Sequence, residues 1–77
     1  MDNIIKKLKA VIKEEYNIEI EDDEELGKRG IDSLETVKLI VLIEQYFDIS
    51  FPAENMNSVD LKNIKNIAKC IYDIINK

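Results

Sequence analysis

Ser33 is the residue of this chain whose type and position best suit covalent chemistry, because it directly follows Asp32 at a predicted helix start. A helix N-terminus presents free backbone N–H groups and the positive end of the helix dipole, so a phosphate attached to Ser33 would be stabilised there. A nucleophilic serine would need a general base, and the sequence has no histidine and only Asp32 close by. The residues therefore favour a modified serine over a catalytic one, although an Asp-Ser pair taken by itself is more often only a helix start.

Cys70 is the single cysteine and offers no second chemical site. The lack of a partner cysteine excludes a disulfide within the chain, and the lack of histidine argues against a zinc site or a Cys–His nucleophile. A lone cysteine on a helix is usually a buried or half-buried apolar side chain. We therefore predict no metal site and no redox role for Cys70.

The net charge narrows the range of partners. A formal charge of −5 makes nucleic acid a poor partner, because its phosphates are bound by clustered lysines and arginines. The acidic residues 21–25 could dock a basic partner or form a solvated loop.

No apolar run approaches the roughly 18 residues of a membrane span, and the start of the chain lacks the apolar core of a signal peptide. We expect a cytoplasmic protein with no membrane span.

The composition predicts that helices position Ser33. Hydrophobic residues make up 45% of the 77 residues and charged residues 35%, which is typical of a folded domain. Only two glycines and one proline accompany many Ile, Leu, Lys and Glu residues, which favours helices over a β-sandwich or barrel. We predict an all-α fold over residues 1–77: a small antiparallel helix bundle, monomeric, with three long helices plus a short one and a long first loop.

Apolar spacing and capping residues predict where the helices begin and end. Apolar residues at three-and-four spacing predict a first helix over residues 2–16. Residues 17–32 form a long loop in this scheme, and its apolar anchors are Ile18, Ile20, Leu26 and Ile31. Asp32 and Glu35 resemble a capping box, which predicts a second helix over residues 34–47.

The last third of the chain admits two interpretations. In the first, Ser58 caps a short helix through Leu61, and Asn63 or Asn66 caps a separate last helix. In the second, one continuous helix covers residues 59–75. The sequence does not choose between them.

The second predicted helix has more apolar surface than a bundle core requires. At about 100° per residue, one stripe would face the core, and it consists of Thr36, Leu39, Ile40, Ile43 and Phe47. Leu34, Val37 and Val41 form another stripe about 120° away. This second stripe could dock a partner, or the long first loop could cover it, and the periodicity leaves both possibilities open.

The motif around Ser33 extends along the second predicted helix. Residues 30–37, with the sequence GIDSLETV, are followed by Leu39-Ile40, Glu44, Phe47-Asp48-Ile49 and Pro52. This arrangement resembles the acyl carrier protein family. The resemblance implies that Ser33 carries a covalent 4′-phosphopantetheine arm, transferred from coenzyme A by a phosphopantetheinyl transferase. The thiol of that arm would hold an acyl group as a thioester.

The same resemblance implies what the chain meets. It would be a carrier rather than an enzyme, with the transferase and the acyl-loading and acyl-transfer enzymes of fatty acid or polyketide biosynthesis as partners. Asp32 and Glu35 would meet basic residues of the transferase, and Leu34, Val37 and Val41 would pack against partner enzymes. The family also suggests a core that could open to shelter an acyl chain.

Several features depart from the fatty-acid carriers of this family. Lys38 occupies a position that is commonly acidic, Gln45-Tyr46 replaces a commonly acidic pair, the first helix is basic, and the segment after Pro52 is longer. These departures favour a dedicated carrier in a specialised pathway. Two other interpretations stay open: an aminoacyl or peptidyl carrier, including the D-alanyl type, and an acidic helical interaction module in which Ser33 is never modified.

Overall fold

In the described part of the chain, three α-helices form around one apolar core, as the three-and-four spacing predicts. The structure is a computed structural model that describes residues 2–52 and 61–76. Within these residues the helices are α1 (Asp2–Tyr16), α2 (Ser33–Phe47) and α3 (Ile64–Ile75), and a short 3-10 helix covers Leu26–Arg29. Helix α1 packs against both α2 and α3. The all-α fold class is therefore confirmed.

Helix α1 has the bounds that its apolar spacing predicts. Leu8, Val11 and Ile12 are buried on its inner face, while its lysines lie on the other faces. The helix ends where Asn17 adopts a left-handed backbone with φ 56° and donates its amide to Lys13 O at 2.8 Å. Asparagine tolerates this conformation better than most residues, so it is a suitable stop.

The first loop is anchored by the apolar residues that the sequence singles out. Ile20, Leu26 and Ile31 are buried, and Ile18 is half-buried against the same core. The loop also contains the 3-10 helix, which the sequence analysis did not predict. Gly30 ends that helix with φ 87°, a left-handed conformation that glycine adopts without the strain of a Cβ atom.

Backbone hydrogen bonds join the first loop to the start of α3. Leu26 N donates to Lys62 O at 3.0 Å, and Lys65 N donates to Asp22 O at 2.9 Å. These bonds connect segments that lie about half a chain apart in sequence. The loop that leads into α2 is therefore held by the last helix as well as by its own apolar anchors.

Helix α2 begins and ends on side chains or residues suited to helix termini. Asp32 caps it by accepting a hydrogen bond from Glu35 N at 3.0 Å. At the other end Asp48 is left-handed with φ 56°, and Glu44 accepts a bond from Phe51 N through Oε2 at 2.8 Å. The predicted core stripe is confirmed in its central part: Leu39, Ile40 and Ile43 are buried, and Thr36 and Phe47 at its two ends are half-buried.

Helix α3 starts later than the continuous-helix interpretation requires. Asn63 is extended, with φ −146° and ψ 172°, and its side chain accepts a bond from Asn66 N at 2.8 Å. The prediction of one helix over residues 59–75 is therefore wrong, because the chain leaves helical geometry immediately before Ile64. Asn63, rather than Asn66, is the cap. The predicted short helix from Ser58 falls on residues 53–60, which lie outside the described residues.

The core is purely apolar within the described residues. Its buried side chains come from the three helices, the first loop and the two segments flanking residues 53–60: Leu8, Val11, Ile12, Ile20, Leu26, Ile31, Leu39, Ile40, Ile43, Phe51, Leu61, Ile64, Ile67, Ala68 and Ile71. Cys70 is half-buried beside it, as predicted. Among the described helices none is both long and apolar enough to cross a membrane.

Candidate functional site

Ser33 is the first residue of α2, and its side chain is exposed. Two residues earlier, Ile31 is buried at 2% exposure and donates its amide to Leu26 O at 3.0 Å. The chain is therefore anchored in the core two residues before Ser33, and the Ser33 side chain itself is exposed. The predicted exposure of Ser33 is confirmed.

The first turn of α2 leaves backbone donors available beside Ser33. Glu35 N is taken by the Asp32 carboxylate, and Thr36 N donates to Asp32 O at 2.8 Å. Within the described part of the chain, the amides of Ser33 and Leu34 have no acceptor. Unsatisfied amides at the positive end of a helix dipole suit a phosphate group. The local structure therefore fits a phosphodiester on Ser33.

The Thr36 side chain reinforces this turn in a way that the sequence analysis did not anticipate. Its hydroxyl donates to Asp32 O at 2.7 Å and lies 3.5 Å from Ile31 O. The apolar spacing places Thr36 only on the core stripe, although a threonine one turn after a helix cap commonly bonds back to the backbone. This bond holds the cap residue and the serine that follows it in one conformation.

An exposed apolar strip runs along α2 from the residue after Ser33. Leu34 is 76% exposed, Val37 50% and Val41 47%. The first loop therefore does not cover these side chains, which settles the question that the periodicity left open. Apolar side chains that lie next to each other on one helix face in solvent are typical of a surface that packs against another molecule.

A groove opens beside Ser33 where three separate segments meet. It has a volume of about 550 Å³, and its walls come from the 3-10 helix, the start of α2 and the residues before α3. Leu26, Ile31, Val37 and Leu61 supply apolar walls. The sequence could not show this groove, because its walls come from parts of the chain that tertiary contacts alone bring together.

The acidic run over residues 21–25 is folded against the chain's own basic residues. Glu24 pairs with Arg29 at 2.8 Å, and Glu25 pairs with Lys62 at 3.0 Å and with Lys28 at 3.6 Å. The hydrogen bond from Lys62 is the main cause that lowers the pKa of Glu25, and a backbone hydrogen bond from Glu21 is the main one for Glu24. Glu24 and Glu25 are therefore paired within the chain, whereas Glu21 and Asp23 in the same run are exposed.

Glu35 does not complete the predicted capping box. Its amide binds Asp32, but its carboxylate accepts the Tyr16 hydroxyl at 3.2 Å through Oε2 and faces Lys38 Nζ at 3.5 Å through Oε1. The Tyr16 hydroxyl is also 3.3 Å from Glu35 O. The second hydrogen bond of the expected capping box, from the Asp32 amide to the Glu35 carboxylate, is therefore wrong. The carboxylate instead accepts the hydroxyl of Tyr16, the last residue of α1.

Tyr16 is the functional-site neighbour that sequence reasoning missed. Tyr16 is the last residue of the predicted first helix, and a half-buried tyrosine at such a position carries a hydroxyl that needs a hydrogen-bond partner. Burial and then the hydrogen bond with Glu35 raise the pKa of Tyr16 to about 12. The hydroxyl therefore stays protonated, and a donor, at any ordinary pH.

Comparison with protein families gives a match over most of the chain. The model of the family described as "Phosphopantetheine attachment site" matches residues 6–71. The matched region contains Ser33, the apolar strip and every buried core residue among the described residues, and it leaves out the start of α1 and the end of α3.

Curated relatives match over nearly their full lengths. An acyl carrier protein of Buchnera aphidicola subsp. Schizaphis graminum is 35% identical over 100% of this chain and 96% of its own length. An acyl carrier protein of Buchnera aphidicola subsp. Acyrthosiphon pisum is 36% identical over 90% of this chain and 100% of its own. An acyl carrier protein of Cyanidium caldarium is 29% identical over 99% of this chain and 87% of its own length. No solved structure gives a significant match.

Proposed function

This chain belongs to the acyl carrier protein family, whose members carry phosphopantetheine, and from that premise we propose that Ser33 is the residue to which its arm is attached. The observation that carries the proposal is the exposed serine at the first position of a capped helix, with the amides of Ser33 and Leu34 free beside it. The buried side chain of Ile31 and the cap formed by Asp32 anchor the backbone directly before this serine.

The chain's own part in the attachment reaction is to present the hydroxyl. A phosphodiester bond forms between Ser33 Oγ and the phosphate of the arm, and the bond from that phosphate to the rest of coenzyme A breaks. The hydroxyl proton passes to a base of the transferase, since Asp32 is engaged with Glu35 N and the sequence has no histidine. The bound arm supplies a thiol that holds the acyl group. The chain itself is a carrier and not an enzyme.

The apolar strip of Leu34, Val37 and Val41 is the surface on which we place partner enzymes. It begins one residue after Ser33, so a partner seated on it would have the arm at the edge of the interface. Asp32 is exposed at that edge, and the Glu35 side chain is 36% exposed. Charges at the rim of a small apolar interface mainly steer encounter and select partners, which suits a carrier that must leave each enzyme in turn.

Lys38 supports the further proposal of a dedicated carrier in a specialised pathway. Its side chain is 71% exposed. Lys38 lies one helical turn after Leu34 and one turn before Val41, so it flanks the apolar strip. The docking surface therefore carries both signs of charge, and it fits a partner that offers an acidic group as well as basic ones. We propose an acyl unit as the cargo, on the strength of the acyl carrier protein relatives.

The attachment site is tested by intact mass after incubation with coenzyme A and a broad-specificity phosphopantetheinyl transferase. We expect one added phosphopantetheine on the unaltered chain, none on Ser33→Ala, and one on Ser50→Ala, which removes another exposed serine. Addition to Ser33→Ala would move the site elsewhere. No addition to the unaltered chain with several transferases would favour the unmodified interaction module.

The cargo and pathway are tested on the modified chain. Loading by an acyl-acyl carrier protein synthetase, without efficient elongation by fatty-acid synthase enzymes, is the expected result for a specialised acyl carrier. Efficient elongation would contradict the specialised role. Loading by amino-acid adenylation enzymes alone would identify an aminoacyl or peptidyl carrier instead.

A further inference from the structure

The Tyr16 hydroxyl joins the end of α1 to the first turn of α2. It lies 3.2 Å from Glu35 Oε2 and 3.3 Å from Glu35 O, across 19 residues of sequence. The tyrosine ring is half-buried and packs against the apolar core. A ring held by the core cannot swing freely, so the position of its hydroxyl is set by the packing of α1.

This contact constrains the Glu35 carboxylate, whose other side-chain partner is the exposed Lys38. Lys38 reaches the other oxygen, Oε1, at 3.5 Å, but its own side chain is 71% exposed. Lysine has a long flexible stem and a strongly hydrated ammonium, so an exposed pair of this kind fixes geometry poorly. The half-buried Tyr16 is therefore the contact that determines where the Glu35 carboxylate lies.

The hydrogen bond does not hide the carboxylate from a partner. An ionised carboxylate has about four acceptor positions, and Tyr16 occupies one of them. Glu35 keeps 36% of its side chain in solvent, two residues after Ser33. The raised pKa of Tyr16, about 12, keeps the hydroxyl a donor during any assay near neutral pH.

We propose that Tyr16 is a positioning residue for the transferase: its hydroxyl holds the Glu35 carboxylate in the orientation that a basic group of the transferase meets while Ser33 is modified. This inference rests on the proposed attachment at Ser33. In this proposal Tyr16 acts through the Glu35 carboxylate and not by its own contact with the arm or the transferase. Because Tyr16 already orders the Glu35 side chain in the free protein, less side-chain entropy is lost when the transferase binds.

The experiment measures kcat and KM of the transferase for four forms of the chain: unaltered, Tyr16→Phe, Glu35→Gln and the double variant. Tyr16→Phe keeps the packed ring and removes the hydroxyl alone. We expect it to raise KM for the carrier about threefold with kcat unchanged, since an exposed charge contact is worth a few-fold in affinity. Glu35→Gln should raise KM at least as much, and the double variant should match Glu35→Gln.

Tyr72→Phe is the matched control, because Tyr72 lies on α3 with 45% of its surface exposed. It should leave both constants unchanged. An unchanged KM for Tyr16→Phe would overturn the proposal, as would a rise in KM of the same size when Glu35→Gln is already present. The second result would mean that Tyr16 acts through the general structure rather than through the carboxylate.

Glu35→Asp tests the same contact without touching the tyrosine. It keeps the charge but withdraws the carboxylate by one methylene from the Tyr16 hydroxyl, so we expect a rise in KM similar to that of Tyr16→Phe. A KM equal to that of the unaltered chain would contradict the proposal even if Tyr16→Phe fails to fold. Failure of the proposed function would look different, since the unaltered chain would then accept no arm at all.

Discussion

Replacing Asp32 separates two tasks that this residue performs at the start of α2. Its carboxylate accepts the hydrogen bond of Glu35 N at 3.0 Å, and its exposed side chain lies beside Ser33 at the edge of the proposed docking surface. Asp32→Ala removes both the cap and the charge. Asp32→Asn removes the charge and keeps an oxygen that can accept the same bond.

The expected losses of stability follow from the cap geometry. An alanine at a helix N-cap costs about 1 kcal/mol, which lowers the Tm of a domain of this size by about 4–8 °C. Asparagine is as good a cap as aspartate, so Asp32→Asn should lose only the favourable interaction with the helix dipole, about 0.3–1 kcal/mol. Thermal unfolding followed by circular dichroism measures both changes.

The same variants report on recognition. Both should raise KM in the transferase assay to a similar degree, since both lack the charge, while Asp32→Ala alone loses the full cap energy. If Asp32→Asn were as unstable as Asp32→Ala, the cap would not be the source of the stability. If neither variant changed KM, the charge of Asp32 would have no place in the interface.

Three further predictions concern the apolar strip on α2, the hydrogen bond between Glu44 and Phe51, and the pH dependence of stability. Val37→Asp should weaken the binding of partner enzymes with little loss of stability, because the Val37 side chain is 50% exposed. Ile40→Ala should lower the free energy of unfolding, measured by chemical denaturation, by about 2–5 kcal/mol, because Ile40 is only 1% exposed. Glu44→Ala should lower stability by about 1–3 kcal/mol, since it deprives Phe51 N of its acceptor at 2.8 Å, and Glu44→Gln should recover most of that loss. Because folding raises the pKa of Tyr16 from 10.0 to about 12, its contribution to stability is complete below pH 10 and is lost as the pH rises towards 12. Tyr16→Phe should be free of that loss in unfolding measurements across this pH range.

Local rules were sufficient for α1, for the start of α2 and for the placement of Ser33. The bounds of α1 and the cap at Asp32 depend on side chains within three or four residues of the backbone that they serve. The same rules left the cap of α3 open between Asn63 and Asn66, and the structure places it at Asn63. An interaction of such short range is written into consecutive residues. The same reason explains why the exposed position of Ser33 followed from its place directly after a cap.

Local rules failed where a side chain had a choice of partners. The capping-box pattern offers Glu35 the backbone of its own helix, yet the carboxylate binds Tyr16, which is 19 residues away in sequence. The alternative of a continuous last helix failed for a related reason. Lys62 O accepts a bond from Leu26 N and Lys65 N donates to Asp22 O, so the chain on both sides of Asn63 is held by the first loop.

The sequence by itself determined the three α-helices of the described residues, the net negative charge and the position of Ser33 at the start of the second helix, because periodicity, charge and capping act over a few residues. Tertiary structure alone decided that Leu34, Val37 and Val41 stay in solvent, that a groove of about 550 Å³ opens beside Ser33, and that Tyr16 takes the Glu35 carboxylate. Each of these depends on how segments far apart in the chain pack together. Burial, cavities and the choice among competing hydrogen-bond partners are properties of that packing and have no signal in any short stretch of residues.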